Sequence, residues 1–170
     1  AIARFRRAFP DASFTAENGL DYLHLNEDLA ERLIARGFYR FNLSLGTMAP
    51  SELRTNCREG DTGRLEALVK FFRYKGFTPS VFFICGLRGD TPDSIIDTLH
   101  FLRRLRVKTG ISLFYPVPGL PPLETEADIQ QLQAGGGFHP QRCAGSAAYP
   151  WTASLTTSEL VTAFRLARFN

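Results

Sequence analysis

The chain is poor in the residues that would staple it or ligate a metal. Three cysteines, Cys57, Cys85 and Cys143, are spread over 170 residues. An odd, widely spaced set argues against a disulfide framework and fits a reducing cytoplasm. The three histidines, His24, His100 and His139, stand alone, with no partner at a metal-ligand spacing. His100 falls near the apolar stripe of an expected helix, where a packing role is anticipated. No apolar run approaches the ~18 residues of a membrane span, and the Arg- and Phe-rich start has no signal-peptide stretch. Nucleophile elbow, Walker loop and dinucleotide fingerprint are all missing. The run Gly135-Gly136-Gly137 neither follows a strand nor opens a helix, so it reads as a flexible loop. Ala1 is not an initiator methionine, and the expectation is that the chain begins inside a longer protein.

Concentrated charge is also lacking. The formal net charge is +3 and the pI about 8.9, but Lys and Arg are interspersed with acids. Only Arg103, Arg104 and Arg106 are dense, and they read as the solvated face of a helix. Nucleic acid is therefore not an expected partner. What is present is 44% hydrophobic residues, enough for one core in a chain of single-domain length.

The pattern alternates strand and helix. Residues 13–16 read as a strand followed by an Asn18-Gly19 turn. Asn26 caps a helix through Ile34, with Glu27 and Asp28 in the first turn, a stripe of Leu29, Leu33 and Ile34, and Gly37 as its stop. Residues 38–45 form a strand with Phe41, Leu43 and Leu45 on one face. Asp61 or Thr62 opens a helix burying Leu65, Leu68, Val69 and Phe72, closed by Gly76. Residues 80–85 are continuously apolar after Ser80, as a strand covered on both faces should be. Thr91 caps the next helix, Pro92 starts it, and Ile95, Ile96, Leu99 and Leu102 point inward. Residues 111–115 form another buried-type strand, stopped by Pro116 and Pro118. Residues 124–133 read as a short helix, and 134–150 as a long loop. Thr157 caps a last helix, 158–168, with Leu160, Val161, Phe164 and Ala167 on one face.

This order predicts an α/β fold with a parallel sheet whose ligand site lies at the strands' carboxyl ends. Four strands are too few to close a barrel. Three segments at that edge carry chemistry. In Phe82-Phe83-Ile84-Cys85-Gly86-Leu87-Arg88-Gly89-Asp90-Thr91, the glycines permit close approach of a ligand or backbone, and the following helix offers N–H groups to an anion. A tight strand-to-helix turn explains the same residues. In Phe114-Tyr115-Pro116-Val117-Pro118-Gly119, a rigid turn presents rings that can stack on a flat ligand or simply pack. In Phe41-Asn42-Leu43-Ser44-Leu45-Gly46-Thr47, Ser44 can meet a sugar hydroxyl or a carboxylate, and Arg58 further on can clamp a carboxylate. An ordinary sheet hydroxyl and a surface charge are the alternatives.

In this order the segments resemble radical S-adenosylmethionine (SAM) iron-sulfur proteins, most of all the branch whose members often carry an amino-terminal cobalamin-binding domain. Glu17-Asn18-Gly19-Leu20 is similar to the exit of the family's third strand, and residues 37–47 to its fourth. Ile84-Cys85-Gly86-Leu87-Arg88-Gly89-Asp90-Thr91 resembles the fifth-strand motif, and Tyr115-Pro116-Val117-Pro118-Gly119 the sixth-strand turn. Gly46 stands where many members have Glu or Gln, and Arg88 and Asp90 replace the usual Pro and Glu.

The resemblance implies a partial TIM-like (β/α) barrel over residues 1–123, about four parallel strands (barrel strands three to six) with outer helices. Residues 124–170 would be an irregular extension ending in a helix. It implies that Ser44, Arg58, Ile84, Gly86 and Tyr115 line a SAM pocket. The family's 4Fe-4S cluster is held by a C-x-x-x-C-x-x-C run, which this chain does not contain. The full-length parent is then expected to be an oxidoreductase that reductively cleaves SAM, with cobalamin as an optional further cofactor. This chain alone is expected to be inactive and to hold no cofactor. Its expected partner is the amino-terminal half of the barrel, with self-association through exposed strand edges as a further possibility. The alternatives are a non-catalytic association module and an unrelated α/β enzyme.

Overall fold

The computed structural model describes residues 2–48, 59–117 and 148–169. Its elements in chain order are α1 (Ile2–Ala8), β1 (Phe14–Leu20), α2 (Glu27–Ala35), β2 (Phe38–Gly46), α3 (Thr62–Tyr74), β3 (Ser80–Cys85), α4 (Pro92–Leu105), β4 (Lys108–Leu113) and α5 (Thr157–Ala167). Four helices start on a side chain that takes up an otherwise orphaned amide. Asn26 accepts from the Leu29 amide at 2.8 Å, and Asp61 from that of Arg64 at 2.9 Å. Thr91 and Thr156 form capping boxes with Ser94 and Glu159. Gly37 and Gly76 end α2 and α3 with φ of +89° and +83°, the left-handed region that glycine enters without strain.

The strands form one sheet in the order β1-β2-β3-β4, every neighbouring pair parallel. Consecutive strands are thus spatial neighbours, with a helix between each pair, as in an α/β barrel opened along one side. Among the described residues β1 and β4 are its edges. Strand alternation sends Phe41, Leu43 and Leu45 of β2, and Val81, Phe83 and Cys85 of β3, into one buried face. There they meet Leu65, Leu68, Val69 and Phe72 of α3, Ile95, Leu99 and Leu102 of α4, and Leu160, Ala163 and Ala167 of α5. The last helix therefore packs into the same core as the strands. Phe41 is central to it, with ring centroids 4.4 Å from Phe72 and 5.6 Å from Phe77.

Several elements differ from the sequence reading. Asn18-Gly19 does not turn the chain; β1 runs on to Leu20 through a bulge. Ala16 pairs with Phe41 and Leu20 with Leu43, so four steps of β1 face two of β2. The Asn42 side chain donates to the Glu17 carbonyl at 2.9 Å and replaces the ladder bond lost there. Residues 80–85 alternate between buried and partly exposed, so β3 is not covered on both faces among the described residues. On α4, Ile96 is 42% exposed, and Thr98 and Phe101 are buried instead. Thr98 is tolerated inside because its hydroxyl donates to the Ser94 carbonyl at 3.0 Å. His100 is exposed, not packed on the stripe, and Arg103, Arg104 and Arg106 are exposed as expected. On α2 the buried residue is Ala30, while Leu29 is 37% exposed. The fourth strand starts at Lys108 and ends at Leu113, three residues before the first proline. The expected helix at 124–133, the glycine run, Cys57, Arg58, His139 and Cys143 lie outside the described residues.

Truncating Phe41 tests the core. Phe41→Ala is expected to cost about 3–5 kcal/mol in urea unfolding, whereas Ile96→Ala costs under about 1 kcal/mol. Equal losses would contradict the placement of α4.

Candidate functional site

The open face of the sheet is set by register. Ser44 of β2 pairs with Phe82 of β3, Phe82 with Gly110 of β4, and Ile84 with Ser112. Ser44, Phe82 and Ile84 are partly exposed, while their sequence neighbours Leu43, Leu45, Val81, Phe83 and Cys85 are buried on the helix side. Phe82 and Ile84 are absent from the core cluster and from the apolar groups packed on it. The open face thus carries apolar side chains flanked by the hydroxyls of Ser44 and Ser112. The β1 bulge borders it: a Cβ at Gly19 would stand 3.3 Å from the Ser44 Cβ, and Gly19 has φ +81°. Glycine there lets the β1 backbone approach Ser44 closely.

The loop leaving β3 forms the upper rim. Gly86 has φ +94°, and its amide and that of Leu87 donate to one carboxylate oxygen of Asp90, at 2.7 and 3.0 Å. Asp90 is only 2% exposed. These amides are not free to meet a ligand anion, because the chain's own carboxylate occupies them. The α4 amino terminus is likewise closed by its Thr91–Ser94 capping box. The segment before α5 braces the loop from behind. The Ser154 hydroxyl donates to the Asp90 carbonyl and pairs with Thr152 at 2.8 Å. Leu160 would lie 3.5 Å from a Cβ at Gly86.

On the β1 and β2 side, the Tyr22 hydroxyl accepts from the Asp61 amide at 2.7 Å, and Arg64 donates to the Tyr22 carbonyl at 3.1 Å. The loop after β1 is thereby fixed to the start of α3. Burial of the Tyr22 ring holds its phenol above the usual range. In the same loop, the hydrogen bond from His24 is the main influence lowering the Asp21 carboxyl.

The structure brings Ser44 and Ile84 onto one face and sets Gly86 at its rim. Tyr115 lies two residues beyond β4 and is 39% exposed. Arg58 lies outside the described residues. Two contributors had weak sequence signals. Asp90 could have been found as an acid four residues after a glycine with a helix cap next to it. Gly110 stands inside a strand, where glycine marks close approach.

A metal centre does not fit the described residues. Among them no group of three or more His, Cys, Asp or Glu is placed to hold a metal ion. Cys85 is fully buried, and its thiol is pushed up to about 12, first by burial and then by the Asp90 charge. A thiol so held is protonated at neutral pH and is a poor nucleophile. Nor, among the described residues, is any helix long and apolar enough to cross a membrane.

No protein-family model matches the chain, and no curated protein matches it by sequence. Solved structures do match. Coproporphyrinogen III oxidase (HemN) from Escherichia coli, a radical SAM enzyme, superposes with a TM-score of 0.62 at 22% identity. The match covers 79% of this chain and 36% of that one. The radical SAM methyltransferase TsrM from Kitasatospora setae, with cobalamin and a 4Fe-4S cluster bound, gives 0.60 at 23% identity over 72% of this chain. TsrM with its tryptophan substrate and the SAM analogue aza-SAM gives 0.55 at 22% identity. The chain shares a partial α/β barrel fold with these radical SAM enzymes. It spans about a third of the length of HemN and about a quarter of that of TsrM.

Two outcomes test the rim. Asp90→Ala leaves two buried amides without an acceptor and is expected to cost about 2–4 kcal/mol, whereas Asp90→Asn retains an acceptor oxygen and costs less. Equal losses in urea unfolding would show that the amides find other partners. For Cys85, a raised thiol pKa means that stability is intact below about pH 9 and falls as pH rises towards 12, because the unfolded thiol ionises first. Denaturation at pH 8 and pH 10 should show a loss that Cys85→Ala reduces. An identical loss in that variant would mean that Cys85 does not contribute.

Proposed function

We propose that the chain is the SAM-cradling part, barrel strands three to six, of a radical SAM iron-sulfur oxidoreductase, and that a segment bearing the cluster cysteines completes the enzyme. The observation that carries this is the open face, on which Ser44 and Ile84 lie one step apart on neighbouring strands under the Gly86 rim. The fold shared with HemN and TsrM supports it. So does the order of the motifs on β2, on β3 and after β4. A flat adenosyl group suits an apolar patch with hydroxyls at its borders: the base is held by area and the ribose by hydrogen bonds. Arg58 and Tyr115 are the further contacts in this proposal. The amino-terminal half of the barrel is the proposed partner, pairing along the β1 edge, and a cytoplasmic setting suits three sparse, widely spaced cysteines. A cobalamin domain in the parent rests on the branch resemblance and on the cobalamin bound to TsrM.

The absence of a fitting metal site among the described residues yields the first expectation. Anaerobic incubation of the chain with iron and sulfide should give no stoichiometric brown four-iron chromophore; formation of one would overturn the division of labour. Without the cluster side, the adenosyl contact is expected to be too weak to survive purification but saturable at millimolar SAM. In a ¹⁵N–¹H titration, amides around Ser44 and 84–87 should shift. Shifts confined elsewhere, or none, would remove the SAM reading. Saturable shifts with a phosphorylated sugar but not with SAM would favour an unrelated α/β enzyme.

A further inference from the structure

Phe82 does not stand upright on the sheet. A Cβ placed on its register partner Gly110 would lie 2.3 Å from both Cδ1 and Cε1 of the Phe82 ring and 2.7 Å from Cγ. The ring therefore occupies the space that any side chain at position 110 would need. It leans across β4 on the open face, outside the helix-side core. Its level is that of Ser44, one step below the Ile84–Ser112 pair. Strand interiors disfavour glycine because it packs nothing and is costly to order, so a glycine here calls for a reason, and the ring supplies one.

We infer that Phe82, seated against Gly110, is the apolar floor of the adenosyl site and sets how deeply the group can sink between β3 and β4. This rests on the SAM reading above. Ile84 and Ser112 line the level on which the ligand would lie, and Ser44 meets the floor at its β2 side. The ring, not the polypeptide backbone, is what a ligand resting between β3 and β4 would touch. Any side chain at 110 must drive the ring upward into that space.

A double-mutant cycle on the 170-residue chain, read by the SAM titration and in parallel by the thermal midpoint, tests this. Gly110→Ala should weaken SAM binding about fivefold, because the displaced ring then fills part of the ligand's space. Phe82→Ala should also weaken it, through lost contact. In the Phe82→Ala background, Gly110→Ala should change binding by less than about twofold, because no ring remains to be displaced. In the unaltered chain, Phe82 ring protons should show intermolecular nuclear Overhauser effects to the adenosyl group. That measurement and the Phe82→Ala variant decide the matter if Gly110→Ala does not fold. Coupling seen in the thermal midpoint alone, with SAM binding unchanged, would make Phe82 a packing residue and overturn the floor. Effects that multiply, or contacts to Ile84 without contacts to Phe82, would do the same. If the unaltered chain shows no saturable SAM shifts, the SAM reading itself fails and the floor with it.

Discussion

The structure depends on an asymmetry: among the described residues, helices cover one face of the sheet and leave the other open. Strand geometry allows no compromise, because neighbouring residues must point to opposite faces. Once Phe41, Leu43 and Leu45 are committed to α3 and its neighbours, Asn42 and Ser44 are committed to the other side. The same holds on β3, where Val81, Phe83 and Cys85 take the helices and leave Phe82 and Ile84 outside the core. Large apolar groups on an uncovered face cost free energy unless something covers them, so the open face is what any function of this chain has to account for.

The rim above that face is built against movement. Asp90 satisfies two loop amides that would otherwise attract an anion, and its charge adds to the burial that keeps the Cys85 thiol protonated. The backbone of the same residue is held by Ser154, just ahead of α5, whose Leu160 packs behind Gly86. The carboxy-terminal helix thus contributes to the shape of the loop as well as to the core.

Much of this was legible in the chain's own pattern. Asn26, Asp61 and Thr91 announced their helices because capping is a local interaction, decided within four residues. At the last helix the cap fell one residue early, on Thr156, since two adjacent threonines offer the same hydroxyl. The alternation of Phe41, Leu43 and Leu45 marked its face because polar residues separate them. The apolar run of β3 hid its alternation, since Phe82 and Ile84 look like core residues until their register partners are known. Asn18-Gly19 misled for a related reason: the dipeptide favours a left-handed glycine, which a bulge needs as much as a turn does. Ile96 was read as inward from its hydrophobicity, but the helix angle gives that place to Thr98, whose hydroxyl is satisfied within its own helix. Ser44 and Ile84 could be placed at the carboxyl edge from sequence. That they share a face, and that Phe82 leans on Gly110, required the pairing of three strands.

The central claim, an open face opposite a closed one, is tested most directly by single cysteines in a Cys57→Ser, Cys85→Ala, Cys143→Ser background. The positions are adjacent in sequence but opposite in the sheet: Leu43→Cys and Ser44→Cys on β2, Phe83→Cys and Ile84→Cys on β3. Maleimide labelling of the folded chain is expected to be rapid at 44 and 84, and slow at 43 and 83 until urea unfolds the protein. Uniform protection at all four positions, or rapid labelling at 43 and 83, would contradict the account.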